Sequence, residues 1–121
     1  MTIQKALTEI DALVKNTCAT EQKIGWLSKV DGMVKRIIYD THEGAPEFSG
    51  YTGTTPPDTQ LLVPAPYDEL YLSYLEAMIH KYNREYEAYN NAIEDFQGAF
   101  EAYGNEWHRT HMPISKGNFR W

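Results

Sequence analysis

The chain has 121 residues, of which 42% are hydrophobic and 23% charged, and its net charge is −6. This composition is typical of a folded domain and excludes a disordered chain, so we expect one helical domain over 1–121 with a C-terminal tail at 113–121. The single cysteine, Cys18, excludes an internal disulfide framework and favours a reducing compartment. No apolar stretch has the length of a signal peptide core or a membrane span, so we expect a cytoplasmic protein with no membrane partner.

Charge is distributed unevenly along the sequence. Residues 37–80 carry seven acidic residues and no lysine or arginine, whereas residues 107–121 carry three basic residues and no acidic side chain. Because nucleic-acid affinity depends on neutralising phosphates, sequence-specific binding of nucleic acid is not expected. The asymmetry would allow head-to-tail contact between copies, although an ordinary solvated surface also explains it.

Two helices are predicted in the N-terminal third of the chain. In the first, at about 2–15, apolar residues recur at helical spacing and Thr2 is a suitable N-cap. The second, at about 20–42, has a similar apolar stripe but contains Gly25 and Gly32. These glycines either weaken the helix by about 1 kcal/mol each or allow another helix to approach closely.

A long proline- and glycine-rich loop is predicted at 44–66, which holds five of the six prolines. Loops of this length are usually either disordered or functional. Its bulky apolar residues favour burial, and we expect them to contribute contacts with other chains. These residues are Phe48, Tyr51, Leu61, Leu62 and Val63. The last three also suggest a short strand, which would need a partner that another subunit could supply.

An aromatic stripe dominates the C-terminal half. Its twelve members are Tyr67, Tyr71, Tyr74, Met78, Tyr82, Tyr86, Tyr89, Ile93, Phe96, Phe100, Tyr103 and Trp107. Every step is three or four residues, which is the spacing of an α-helix. One continuous helix would be about 60 Å long, so the stripe either belongs to an elongated protein or breaks into helices at 67–82 and 84–110, with Asn83 as the break.

The stripe and the C-terminal end supply further candidates for contacts between chains, and a tyrosine-rich core is the alternative. The candidates are Tyr86, Tyr89, Phe96, Arg109, Lys116, Arg120 and Trp121. The fold class predicted from these elements is all-α, with three or four helices.

No established catalytic or cofactor motif occurs in the sequence. His108 and His111 are spaced for one helical face but lack the further ligands that zinc requires. Asp40, His42 and Glu43 could form an acid–base cluster, although a histidine at a helix end is the simpler reading. We therefore expect no enzymatic activity, no cofactor and no metal, and we keep a small hydrolase as the least favoured alternative.

Several segments resemble a family of small proteins of tailed phages and prophages. They are Trp-Leu-Ser-Lys-Val-Asp-Gly (26–32), Asp-Thr-His-Glu (40–43), Pro-Tyr-Asp-Glu-Leu-Tyr (66–71), Tyr-Asn-Asn-Ala (89–92) and Asn-Glu-Trp-His-Arg-Thr-His-Met-Pro (105–113). The family is similar in size and helicity to head–tail connector, or head completion, proteins, which assemble as rings beneath the portal.

The resemblance implies a virion structural protein that acts by assembly. Its partners would be copies of itself, in a homo-oligomer or ring, and a portal or tail protein, and it would pass from the host cytoplasm into the virion. The alternative is a small helical DNA-binding or regulatory protein. In that case the bases Lys23, Lys29, Lys35 and Arg36 of the second helix would face DNA.

Overall fold

The computed structural model describes residues 1–41 and 44–111, and this part of the chain is all-helical. Its four α-helices are α1 (Ile3–Leu13), α2 (Thr20–Met33), α3 (Leu70–Tyr82) and α4 (Tyr86–Thr110). The predicted all-α fold of three or four helices is confirmed. The aromatic stripe forms two helices and not one.

The first helix begins where the sequence predicts. The Thr2 side chain accepts a hydrogen bond of 3.1 Å from the amide of Lys5, which satisfies one of the free amides at the helix start. The helix ends at Leu13, slightly earlier than predicted, and buries Ile3, Ala6, Leu7 and Ile10.

The second helical segment changes geometry along its length. After α2 the chain continues through a π-helical turn at Val34–Ile38 and a 3₁₀ turn at Tyr39–Thr41. A Cβ added at Gly25 or Gly32 would meet nothing within 4 Å. Within the described residues, no other helix of this chain therefore approaches either glycine closely.

Helices α3 and α4 form an antiparallel hairpin. Asn83 caps the end of α3 and Arg84 takes a left-handed backbone with φ of 62°, which reverses the chain. The Glu85 amide donates to the His80 carbonyl at 2.8 Å and closes the turn. The predicted break at Asn83 is confirmed.

The hairpin folds the aromatic stripe onto itself. The Tyr74 and Phe96 ring centroids are 5.0 Å apart, and those of Tyr67 and Tyr103 are 5.6 Å apart. Tyr74, Phe96 and Tyr103 are buried. Most of the stripe therefore forms the core of a single chain and needs no other chain to cover it. Phe96 is wrong as a predicted contact residue, because it lies in this core.

The long loop packs on its own chain. The Leu61 amide donates to the Met1 carbonyl at 2.9 Å, and Thr2 forms an isolated antiparallel bridge with Gln60. Leu61 and Val63 are buried. The short strand suggested at Leu61–Val63 does not form, and this segment pairs with the chain's own N-terminus and not with another subunit. Leu61 and Val63 are therefore unavailable to a partner.

Candidate functional site

A buried carboxylate lies at the junction of the long loop, α2 and α3. Asp31 is 0% exposed. Its Oδ2 accepts from the Tyr51 hydroxyl at 2.5 Å and from the Leu62 amide at 3.0 Å. Its Oδ1 accepts from the Tyr71 hydroxyl at 2.6 Å, and that hydroxyl accepts from the Val63 amide at 2.8 Å. One side chain thus ties two stretches of the loop to the helices.

Burial dominates the electrostatics of this cluster. It raises the pKa of Asp31 above its ordinary value, and the hydrogen bonds from Tyr51, Tyr71 and the Leu62 amide oppose that rise. Burial and then the charge of Asp31 raise the pKa of the Tyr71 hydroxyl. The tyrosines therefore stay protonated and act as donors, so the cluster holds the loop in place and offers no free acid or base.

Sequence reasoning missed Asp31, although a signal was present. This residue lies in helical phase with four buried apolar residues. They are Ile24, Leu27, Val34 and Ile38. A carboxylate on the buried face of a helix needs several hydrogen-bond donors around it. Its position in the sequence therefore predicts a polar cluster inside the fold.

A second set of hydrogen bonds connects the loop to α4. The hydroxyls of Tyr39 and Tyr103 are 2.7 Å apart, and the Tyr39 hydroxyl donates to the Leu62 carbonyl at 3.3 Å. Burial raises the pKa of Tyr39, and its hydrogen bond with Tyr103 adds to the rise. Together with Asp31, this pair fixes the loop against three helical elements.

One aromatic cleft, of about 420 Å³, lies at the C-terminal end of α4. Its lining includes Pro64, Tyr67, Tyr103, Trp107 and His111. The Trp107 and His111 rings are stacked, with centroids 3.4 Å apart. The buried Trp107 Nε1 has no hydrogen-bond partner within the described part of the chain.

The hairpin tip, Tyr82–Tyr86, exposes two aromatic side chains. Tyr82 and Tyr86 are both 60% exposed, in contrast to the buried rings further along the hairpin. Close to the tip, α2 and α3 enclose a groove of about 360 Å³, the tip groove. Its lining residues are Trp26, Lys29, Met78, Lys81 and Tyr82.

The tip groove combines an apolar floor with basic edges. Trp26 and Met78 are partly buried, whereas Lys29 and Lys81 are exposed. Neither lysine has a carboxylate partner among the residues described, although the Lys81 ammonium lies 5.7 Å from the centre of the Tyr89 ring. An aromatic floor with cations at its edge suits an acidic partner with some apolar surface.

The remaining predicted contact residues have different environments. Phe48 and Tyr51 stack edge to face with centroids 4.9 Å apart, and both are partly buried, as are Leu62 and Tyr89. Arg109 is exposed and pairs with Glu106. The predicted residues Lys116, Arg120 and Trp121, with the tail at 113–121, lie outside the described residues.

The acidic and histidine side chains of the described ranges form no metal site. Within 1–41 and 44–111, no group of three or more His, Cys, Asp or Glu residues is placed to hold a metal ion. His80 is held between Glu85 at 2.7 Å and Glu76 at 3.4 Å. Asp40 pairs with Lys35 at 3.0 Å, while His42 and Glu43 lie outside the described residues.

The described helices include none that is both long and apolar enough to cross a membrane. In comparisons with known proteins, the chain matches no family model, no curated protein and no solved structure.

Proposed function

We propose that the protein is a structural subunit of a tailed phage or prophage virion, acting as a head–tail connector through protein–protein assembly. The observation that carries the proposal is the exposed aromatic hairpin tip. Tyr82 and Tyr86 are 60% exposed on a chain whose other stripe tyrosines are buried or partly buried. Tyrosine and tryptophan are enriched at the centres of protein interfaces, so an exposed pair beside a Trp26-lined groove favours a protein partner.

The internal construction of the fold supports this role. The long loop is bonded to Asp31 and to Tyr39, so the surface around the helices is preorganised and pays little ordering entropy on binding. The acidic and imidazole groups of the described residues are engaged in structural contacts or spread over the surface. Such a surface suits assembly better than catalysis.

A DNA-binding role receives less support from the second helical segment. Lys23 is buried in an ion pair with Asp11 at 2.6 Å, and Lys35 pairs with an aspartate at 3.0 Å. Only Lys29 and Arg36, of the four bases expected to face DNA, have no ion pair within the described ranges. Two phosphate contacts would give weak binding with little salt dependence.

The test is binding to the portal ring encoded in the same phage or prophage genome. Purified chain is titrated onto immobilised portal rings by biolayer interferometry, with duplex DNA as a parallel ligand. We expect saturable binding to the ring, and an affinity at least about tenfold lower for the double variant Tyr82→Ser/Tyr86→Ser.

Ile37→Ser is the matched control, because Ile37 is 55% exposed and lines a cleft with Gly104 and His108, near the opposite end of α4 from the tip. Its ring binding should equal that of the unmodified chain. Binding to DNA but not to the ring would overturn the proposal in favour of the regulatory alternative.

A further inference from the structure

The solvent-facing side of α4 carries a row of three carboxylates. Glu87, Glu94 and Glu101 are exposed, lie seven residues apart, and therefore share one face over about 21 Å. None of them has an ion-pair partner within the described ranges. We call this side of the helix the acidic face.

Gly98 lies on the acidic face between Glu94 and Glu101. It is exposed, and a Cβ added there would meet nothing within 4 Å. A glycine inside a helix costs about 1 kcal/mol relative to alanine, and no contact with the described residues explains its presence here. Because Gly98 has no side chain, a bulky side chain of another molecule can approach the helix backbone at this position.

The tip groove has the complementary character. Lys29 and Lys81 flank a floor of Trp26, Met78 and Tyr82, and both lysines lack a carboxylate partner within the described residues. Arg84 adds a third base at the tip, also without an ion pair. The nearby acid Glu85 is occupied by His80 at 2.7 Å.

We propose that the tip groove of one copy receives the acidic face of α4 from a second copy. The lysines would pair with Glu94 and Glu101, and an aromatic ring of the groove would lie over Gly98. Because the two surfaces are different, the contact is head-to-tail and repeats from copy to copy, giving a ring where the rotation closes. This inference rests on the proposed assembly function and names the contact between its subunits.

The test uses charge reversal on each surface separately. Lys29→Glu/Lys81→Glu makes the groove acidic, and Glu94→Lys/Glu101→Lys makes the helix face basic. Self-association is measured by sedimentation velocity over a protein concentration series up to millimolar, at low and at high salt. Lys15→Glu/Arg36→Glu is the control for the groove variant, because both residues are exposed, have no ion pair within the described ranges, and give the same change in net charge as Lys29→Glu/Lys81→Glu.

We expect the unmodified chain and the control to associate, more strongly at low salt, and each reversed variant to associate at least about tenfold more weakly. An equimolar mixture of the two reversed variants should regain association, because each groove then meets an oppositely charged face. Gly98→Leu, which preserves all charges, should block association through bulk alone while circular dichroism remains unchanged.

Three results would overturn the inference. The first is an unmodified chain that stays monomeric throughout the series. The second is association of the reversed variants that equals that of the unmodified chain, and the third is a mixture of the two reversed variants that does not regain association. Binding to the portal ring is measured in parallel, so that a chain that binds the ring without self-association refutes this contact alone, and a chain that binds nothing refutes the proposed function as well.

Discussion

The hydroxyl of Tyr71 donates a 2.6 Å hydrogen bond to the fully buried carboxylate of Asp31, 40 residues earlier in the chain. The same hydroxyl accepts from the Val63 amide at 2.8 Å. Tyr71 thus links α2, α3 and the end of the long loop through a single oxygen. A loop that looks mobile from its prolines and glycines becomes part of the folded core through this link.

Removing that oxygen should destabilise the whole domain. Tyr71→Phe leaves a carboxylate oxygen and the Val63 amide without their partner in a buried place, so we expect a loss of about 1–3 kcal/mol in the free energy of unfolding. Urea denaturation followed by circular dichroism measures it. Tyr82→Phe, at an exposed tyrosine, is the matched control and should stay within about 0.5 kcal/mol. Equal effects of the two variants would contradict this role for Tyr71.

The two perturbed aspartates should give opposite pH dependences. Burial raises the folded-state pKa of Asp31 above 3.8, so its contribution to stability is full below that value and is lost as pH rises through the raised pKa. The hydrogen bond from Lys23 lowers the pKa of Asp11, so its contribution is present above 3.8 and is lost as pH falls through the lowered pKa.

The two pH dependences are measured from the free energy of unfolding between neutral and acidic pH. The unmodified chain is compared with Asp31→Asn and with Asp11→Asn. Relative to Asp31→Asn, the unmodified chain should gain stability on acidification. Relative to Asp11→Asn, it should lose stability. The same sign for both comparisons would show that Asp31 is not the buried acid described above.

The hairpin turn offers a stabilising substitution. Arg84 holds a left-handed backbone with φ of 62°, which costs a residue with a side chain roughly 1–2 kcal/mol. Arg84→Gly should therefore raise the melting temperature in differential scanning calorimetry. At Asn83, whose φ is −84°, the same change to glycine should bring no gain. A lower melting temperature for Arg84→Gly would mean that the arginine side chain stabilises the turn.

Burial separates core aromatics from surface aromatics of the same stripe. Phe96 is 6% exposed and packs on Tyr74, so Phe96→Ala should cost about 3–5 kcal/mol in the free energy of unfolding. Tyr86 is 60% exposed, and Tyr86→Ala should stay within about 0.5 kcal/mol. Guanidinium denaturation of both variants checks the contrast, which a comparable loss in the two would contradict.

Much of the fold follows from local sequence signals. Thr2 is a capping residue before an apolar helical repeat, and Asn83 is a weak helix former between two strongly periodic segments, so both boundaries could be predicted. The period also predicts which faces of the helices are apolar. It does not determine whether the stripe is covered by its own hairpin or by another chain, because both arrangements bury the same residues.

The candidate site depends on contacts that the sequence does not encode locally. The predicted strand at Leu61–Val63 does not form, and only the folded chain reveals that Met1 and Thr2 pair with Leu61 and Gln60 instead. Asp31 could have been identified as a buried polar residue from its helical spacing to the apolar residues of the core. Its donors Tyr51 and Tyr71, in contrast, come from distant segments of the sequence. The tip groove joins residues of α2 and α3, so its basic edges become visible only in three dimensions.

The most direct test of the assembly function is the composition of the particle itself. After induction of the phage or prophage, purified virions are analysed by quantitative mass spectrometry beside the lysate from which they came. We expect peptides of this chain in the particles at a fixed ratio to the portal protein. The chain should remain with the particles through a density gradient. A chain that is abundant in the lysate but absent from the particles would contradict the account.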